Sequence, residues 1–426
     1  VQRAAGRCKL SDLSCHGYSY RDLVLSLVVR LLSDLIAFST VSHTSNQAIT
    51  EWVAERLQAQ GFECEQTRYL DGEGVPKFNL VAKRLPVDWP EKASDLSMPS
   101  GDRAENQTGL AYFCHTDVVP ADRWVGPGGN PFEAVLEGDR LYGRGACDMK
   151  GSLAAMLAVV DGLDASKQSA PLWIVCTADE ETGLRGAKEL AQSSPAYRDL
   201  VAHDPVALIG EPTELRVVHA HKGMGGFRVV SHGRAAHSST NRGVNANVLM
   251  IPFLQTILEL HERSQTDPML RDDRFDPPTL TFNFGISDHA DATNIVPDRS
   301  EVWANWRAMP SVDGGCLMSD AKAAAEQLGL HFFGYKSIAP LETRTDDPAL
   351  VRMCELAVPY CGREKPETVC YSTDGAVLGE LSHRIVCGPG SIEQAHTVDE
   401  FIELKSLEDG VSLFRDAVQA FAMRSC

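Results

Sequence analysis

The chain has 426 residues, of which 43% are hydrophobic and 23% charged, with a formal net charge of −18 at pH 7. Those proportions are ordinary for a soluble globular protein, and the length exceeds what one hydrophobic core usually covers, so two domains are expected. So acidic a chain argues against a nucleic-acid partner, which would demand a basic stripe, and fits a cytoplasmic enzyme kept soluble by self-repulsion. The twelve cysteines include no Cys-x-x-Cys, so neither a zinc knuckle nor a redox pair is indicated. Cys114, Cys176 and Cys387 lie in apolar runs and read as buried free thiols.

Residues 1–18 carry no pattern and read as a loose extension. Over 23–38, the spacing of Leu27, Leu31, Leu32 and Leu35 predicts an amphipathic helix. Arg30 and Asp34 interrupt the run and no small-residue cleavage site follows, so it is neither a membrane span nor a targeting signal. Ser45 is placed to cap a second helix whose apolar face uses Ile49, Val53 and Leu57, with Gly61 ending it. Short strands follow at 63–69 and 79–83. Residues 85–108, rich in Pro, Ser, Asp, Glu and Gly, read as a surface insertion. From Leu110 buried strands alternate with helices: strands at 110–114 and 172–177 and one ending at Ile209, helices at 152–163 and 185–193. That alternation predicts an α/β domain with a mostly parallel, helix-covered sheet.

After Glu214 the pattern changes. Strands at 227–231, 279–284, 301–307 and 331–336 and helices at 244–263 and 316–328 fall in the order β-α-β-β-α-β, that of a ferredoxin-like unit. The α/β pattern then resumes with a helix at 348–358, a strand at 384–387 and a closing helix at 404–423. The expected organisation is a catalytic domain over 19–217 and 335–426, interrupted by an inserted domain over 218–334.

Five groups able to bind a divalent cation follow strand-like runs or sit in loops beyond them. They are His115 in Phe113-Cys114-His115-Thr116-Asp117, Asp148 in Gly145-Ala146-Cys147-Asp148, Glu181 in Asp179-Glu180-Glu181, Glu211 in Gly210-Glu211-Pro212 and His396 in Gln394-Ala395-His396. Strand ends are where open α/β sheets build their sites. Any one of these residues alone is unremarkable; the ordered set is not. Two imidazoles and three carboxylates suffice for two Zn²⁺ ions if one carboxylate bridges, with Co²⁺ or Mn²⁺ as substitutes.

With these stretches the sequence resembles the co-catalytic zinc amidohydrolases, the family that includes acetylornithine deacetylase, succinyl-diaminopimelate desuccinylase, aminoacylase and carboxypeptidase G. The resemblance runs from about residue 25 to the C-terminus. It is strongest towards the acetylornithine deacetylases, on Thr177-Ala178-Asp179-Glu180-Glu181-Thr182, Ala220-His221-Lys222-Gly223, His237-Ser238-Ser239 and Gly388-Pro389-Gly390-Ser391-Ile392. It implies that His115, Asp148 and Glu211 hold one zinc and Asp148, Glu181 and His396 the other. It makes Asp117 the carboxylate that orients His115, and Glu180 the general base. His237 of the inserted domain becomes the oxyanion donor, often supplied by a partner subunit, and Asn294 and Arg307 become substrate contacts; Lys222, at the domain junction, is a further candidate to reach a substrate carboxylate. The family also implies a homodimer formed through the inserted lid domain.

The expected reaction is hydrolysis of the amide of a small N-acyl amino acid, with N-acetyl-L-ornithine the leading substrate. Desuccinylase, broad aminoacylase and dipeptidase activities on the same scaffold are the alternatives. Asp374, in Tyr371-Ser372-Thr373-Asp374-Gly375, is expected to meet the cationic end of a substrate.

Overall fold

The computed structural model of the chain describes residues 20–87, 89, 109–288, 292–335 and 338–424. The expected extension at 1–18 and most of the 85–108 insertion lie outside them. Among the described residues no helix is long and apolar enough to cross a membrane, and every described cysteine is free. The chain divides into two compact units, Val1–His219 with Thr343–Glu367 and Thr373–Cys426, and Ala220–Glu342 with Thr368–Ser372.

The first unit opens with α1 (Tyr20–Ile36), α2 (Gln47–Ala59), β1 (Glu63–Leu70), β2 (Pro76–Arg84) and β3 (Leu110–His115). It continues with β4 (Val135–Glu137), β5 (Arg140–Tyr142), α3 (Lys150–Asp161) and β6 (Leu172–Thr177). Next come α4 (Arg185–Ser193), α5 (Pro195–His203), β7 (Val206–Ile209) and β8 (Val218–His221), whose last two residues pass into the second unit. That unit holds β9 (Gly225–His232), α6 (Ala246–Thr266), β10 (Asn283–Ser287), β11 (Arg299–Trp306), α7 (Gly315–Gln327), β12 (His331–Gly334) and β13 (Leu341–Glu342). The chain ends with α8 (Pro348–Cys361), β14 (Glu367–Val369), β15 (Arg384–Val386), β16 (Phe401–Glu403) and α9 (Leu404–Ala422).

The main sheet of the first unit runs β1-β2-β6-β3-β7-β15. β3 is parallel to β6 and β7, and β15 is parallel to β7. β3, β6 and β7 are buried at every residue, which is why they read as unbroken apolar runs rather than alternating ones. Helices close over them: Leu31 and Leu35 of α1, Leu153 and Leu157 of α3, and Phe414 and Phe421 of α9 are all at most 1% exposed. Each such side chain stabilises the unit by about 1.5–3 kcal/mol.

Several expectations shift by local chemistry. Ser45 does accept the Gln47 amide (3.3 Å), but the α2 cap is Asn46. Its side-chain amide donates instead to the Phe78 carbonyl (2.8 Å) and Thr116 Oγ1 (3.0 Å), fastening the helix start to β2 and the exit of β3. Helix α5 was not anticipated, although Ser194 caps it by accepting the Tyr197 amide at 2.9 Å and Pro195 opens it, a readable start signal. The small sheet β16-β5-β4 was also missed, because three-residue strands are too short to show a period.

In the second unit the sheet order is β10-β11-β9-β12, with every neighbour antiparallel. The first and third strands of a β-α-β-β-α-β chain are therefore central, as in a ferredoxin-like unit. Phe227, Phe253, Ile257, Val302, Trp306 and Leu317 form its core. The expected strand at 279–284 is displaced: Thr281 has φ 49, which breaks the extended run. The ladder with β11 consequently starts at Asn283 opposite Asn305. This unit also extends past the expected 218–334. β13 pairs with the end of β8, Leu341 opposite His221. Thr368 Oγ1 donates to the Arg274 carbonyl at 2.6 Å, drawing in residues 368–372.

Candidate metal centre

The parallel strands β3, β6 and β7 end at the same edge of the sheet, with His115 directly opposite Thr177. His115 is the last residue of β3, Glu180 and Glu181 follow β6, and Glu211 lies two residues past β7. Glu211 follows Gly210, where a Cβ would collide with Ser152 Oγ and Tyr112 Oη; only glycine lets the strand exit so close to α3. Asp148 precedes α3, and His396 sits in the loop after β15 with φ 64, in the left-handed region.

These residues form two overlapping groups. Ligand atoms of His115, Asp148 and Glu211 all lie within 4.8 Å of one another, as do those of Asp148, Glu181 and His396. Asp148 belongs to both. Its Oδ1 is 3.0 Å from His115 Nε2 and its Oδ2 is 3.4 Å from His396 Nε2, while Glu181 reaches His396 Nε2 at 3.0 Å. His115, Asp148 and Glu211 are buried; the His396 side chain is 54% exposed.

The ring orientation of His115 is set from the opposite side. Its Nδ1 lies 2.9 Å from the Asp117 main-chain oxygen. A carbonyl only accepts, so Nδ1 carries the proton and Nε2 faces Asp148. The Asp117 carboxylate is farther from Nδ1, at 3.7 Å. It accepts instead from Ser42 Oγ (2.7 Å) and from the Glu180 amide (3.1 Å). Asp117 thus orients the imidazole chiefly through its backbone, a correction to the expected carboxylate contact.

Burial disfavours ionisation of Glu180 and Glu211 and pushes both carboxyls well above their ordinary range. Burial also raises Glu181. For Asp148 burial acts in the same direction, but hydrogen bonds from His115 and His396 overcome it and hold the carboxyl low. Burial disfavours the His115 cation, yet Asp148 raises this imidazole well above its usual value. His396 is raised to about 10 by hydrogen bonds to Asp148 and Glu181. So many carboxylates beside two imidazoles that draw protons make a site short of positive charge. Its mixed N/O donors suit a borderline divalent cation.

The loop carrying Asp148 is pinned by a residue to which the sequence reading gave no role. Glu400, 1% exposed, accepts the amides of Gly145 (2.8 Å), Cys147 (2.8 Å) and Asp148 (3.0 Å) and pairs with Arg144 at 2.8 Å. Arg144 also donates to the Thr397 carbonyl at 2.9 Å, next to His396. One buried ion pair therefore ties the loops of two candidate ligand residues together.

Asp374, the residue expected to meet the cationic end of a substrate, lies in the first unit. It is 3% exposed, accepts from Thr177 Oγ1, and is raised to about 6 chiefly by burial. His237, Asn294, Arg307 and Lys222 all lie in the second unit. His237 is exposed with Nδ1 at 2.7 Å from Ser239 Oγ. Ser238 donates its amide to the Asn294 carbonyl at 2.9 Å, which sets those two segments side by side. Arg307 is half-buried at the end of β11. Lys222 is fully buried and its ammonium donates to the carbonyls of Pro277 (2.7 Å) and Thr279 (2.6 Å). Those bonds commit it to internal anchorage rather than to a substrate.

A model of peptidase family M20/M25/M40 matches residues 111–420. The chain belongs to this family. It is 31% identical over 420 residues to an acetylornithine deacetylase of Proteus mirabilis (strain HI4320), covering 94% of this chain and 98% of that protein. It is 30% identical over 396 residues to an acetylornithine deacetylase of Myxococcus xanthus, with 92% and 96% covered. Among solved structures, an M20 family metallo-carboxypeptidase from Sulfolobus solfataricus superposes with a TM-score of 0.68 at 16% identity, covering 92% of this chain and 98% of that one. The M20 chain described here is accordingly a hydrolase with an α/β catalytic unit, and it gathers candidate metal ligands at one edge of that unit's sheet.

Proposed function

We propose that this M20 hydrolase cleaves the amide of an N-acyl amino acid, with N-acetyl-L-ornithine as substrate and L-ornithine and acetate as products, a step of arginine biosynthesis in the cytoplasm. The observation that carries the hydrolytic reading is the pair of ligand groups sharing Asp148, with Glu180 beside them yet outside both. The choice of ornithine is supported by the deacetylases named above.

His115, Asp148 and Glu211 would hold one zinc ion, and Asp148, Glu181 and His396 the second, with Co²⁺ or Mn²⁺ as substitutes. When bound, such a pair supplies Lewis acidity that brings the pKa of a water to about 7 and polarises the amide carbonyl. The chain's own residues do the rest. Glu180, in its ionised form, takes the water's proton and returns it to the departing amine, its affinity for that proton raised by burial. His237 donates a hydrogen bond to the developing oxyanion, and Arg307 holds the α-carboxylate in a bidentate pair, with Asn294 beside His237 contacting the acyl end. The second unit serves as a lid through which two copies pair.

Steady-state kinetics on N-acetylornithine, N-succinyl-diaminopimelate and other N-acetyl amino acids test the substrate. A higher kcat/KM for the succinyl compound would overturn the ornithine assignment. Glu180→Gln is expected to keep the full metal content and to lose about 10²–10⁴-fold in kcat; undiminished turnover would remove Glu180 as base. Sedimentation at working concentration checks the pairing, and a monomer would refute it.

A further inference from the structure

Lys77 in β2 is 1% exposed, an unusual place for an ammonium group. Its Nζ donates to the Ser42 and Thr44 carbonyls, the latter at 2.8 Å, and pairs with Asp179 Oδ1 at 2.8 Å. The other carboxylate oxygen of Asp179 accepts from the Tyr69 hydroxyl at 2.9 Å. Ser42 also uses its hydroxyl, donating to Asp117 Oδ2 at 2.7 Å, while Asp117 Oδ1 takes the Glu180 amide at 3.1 Å. Followed round, these contacts close a ring. Lys77 leads to Ser42, Ser42 to Asp117, Asp117 to Glu180, and the chain itself returns from Glu180 to Asp179 and so to Lys77.

The ring encloses a strained point. Asp179 has φ 53, a conformation L side chains rarely adopt and which the surroundings must hold. The ion pair with Lys77 and the hydrogen bond from Tyr69 supply that hold, and the turn they fix presents the Glu180 amide to Asp117. Because Asp117 also orients His115 through its carbonyl, the ring sets the base and a ligand against one common residue. Neither Ser42, Tyr69 nor Lys77 belongs to the ligand groups. We propose that Ser42, Tyr69 and Lys77 are positioning residues for Glu180, acting through Asp117 and Asp179. The inference rests on the reading of Glu180 as general base, but its geometry can be tested apart from that reading.

The experiment uses the full chain loaded with zinc, in the variants Ser42→Ala, Ser42→Thr, Tyr69→Phe and Lys77→Met. Hydrogen exchange read by mass spectrometry on the peptide spanning Glu180 should quicken about tenfold in Ser42→Ala and Tyr69→Phe, since each removes a bond that holds the turn. The same quickening is expected with Glu180→Gln as the background, where no turnover is needed to see it. On N-acetylornithine, kcat should fall about tenfold or more with KM within about twofold and metal content unchanged, as for a misplaced base. Ser42→Thr, which keeps the hydroxyl, should restore both readouts. Should Lys77→Met not fold, the other variants decide the matter. Unchanged exchange at Glu180, or a loss of kcat that only follows a loss of metal, would overturn the proposal. Turnover surviving in Glu180→Gln would sink the base assignment alone and leave the exchange result standing.

Discussion

Replacing Glu400 by Gln removes one charge and exchanges an oxygen for an NH₂ group in a site built entirely of donors. One carboxylate oxygen accepts from Cys147 and Asp148, the other from Gly145 and Arg144. Whichever way the amide turns, its NH₂ faces two donors and loses both bonds. Bonds to charged groups contribute about 1.5–3 kcal/mol each, and Arg144, at 3% exposure, is left without its counter-charge. The two counts describe overlapping losses, so the expected destabilisation is about 3–5 kcal/mol, the usual cost of breaking a buried pair from one side. The loop that relaxes carries Asp148, shared by both ligand groups, so metal affinity should fall about 10–100-fold. Urea unfolding and metal analysis after parallel dialysis measure both quantities. A variant within about 0.5 kcal/mol of the parent and retaining all its metal would refute the view that Glu400 supports the site.

Asp148→Ala is expected to empty both positions, whereas His396→Ala should lower bound metal by about half, since a mixed N/O site needs at least three protein ligands; equal losses in elemental analysis would contradict the shared role of Asp148. Metal uptake should release protons. In metal-free protein His396 is raised from 6.5 to about 10 by Asp148 and Glu181, so it is protonated at neutral pH and a cation must displace that proton. Affinity should therefore rise with pH up to about 10, and calorimetric heats should depend on buffer ionisation enthalpy. Heats independent of buffer would exclude this. The same shift fixes a sign for stability: a raised imidazole pKa favours the metal-free fold below about pH 6.5, and that contribution is lost as pH climbs through 10. Thermal melts of chelated protein and of its His396→Ala variant across that window should converge at the alkaline end. His237→Ala should reduce kcat about 10²–10³-fold with metal content unchanged; a normal kcat would remove it from the oxyanion role.

The parts of the fold that could be read from sequence are those with a long enough pattern. β6 (172–177) and α4 (185–193) emerge at the expected residues, because a fully buried strand leaves an unbroken apolar run and an amphipathic helix a periodic trace. β4, β5 and β16, at three residues each, leave none. The displaced β10 shows a different failure. Leu280 and Phe282 are buried as an extended run would suggest, but the left-handed backbone at Thr281 separates them from the ladder, and β-branched Thr gives no warning of such a conformation. The second unit's boundary was misjudged because a two-residue strand and a few side-chain bonds, rather than any composition change, draw residues 341–342 and 368–372 into it.

The site divides along the same line. The convergence of His115, Glu181 and Glu211 on one edge of the sheet was legible because each follows an apolar strand, so its position along the chain already implies its position in space. Glu400, Lys77 and Ser42 were not legible, because what each does depends on partners far away in sequence. Glu400 reaches Arg144 across 256 residues, and Ser42 reaches Asp117 across 75. A buried charge is tolerated only when something neutralises it, and sequence does not say what that partner is. Lys77 in Pro76-Lys77-Phe78-Asn79 looks like any lysine on an exposed strand until Asp179 is found beside it. Three of the five candidate ligands therefore sit just at or past the ends of strands, while support for the site comes from side chains that only the folded chain brings near. A substitution in that support should thus move metal affinity or kcat while the ligand set itself stays intact.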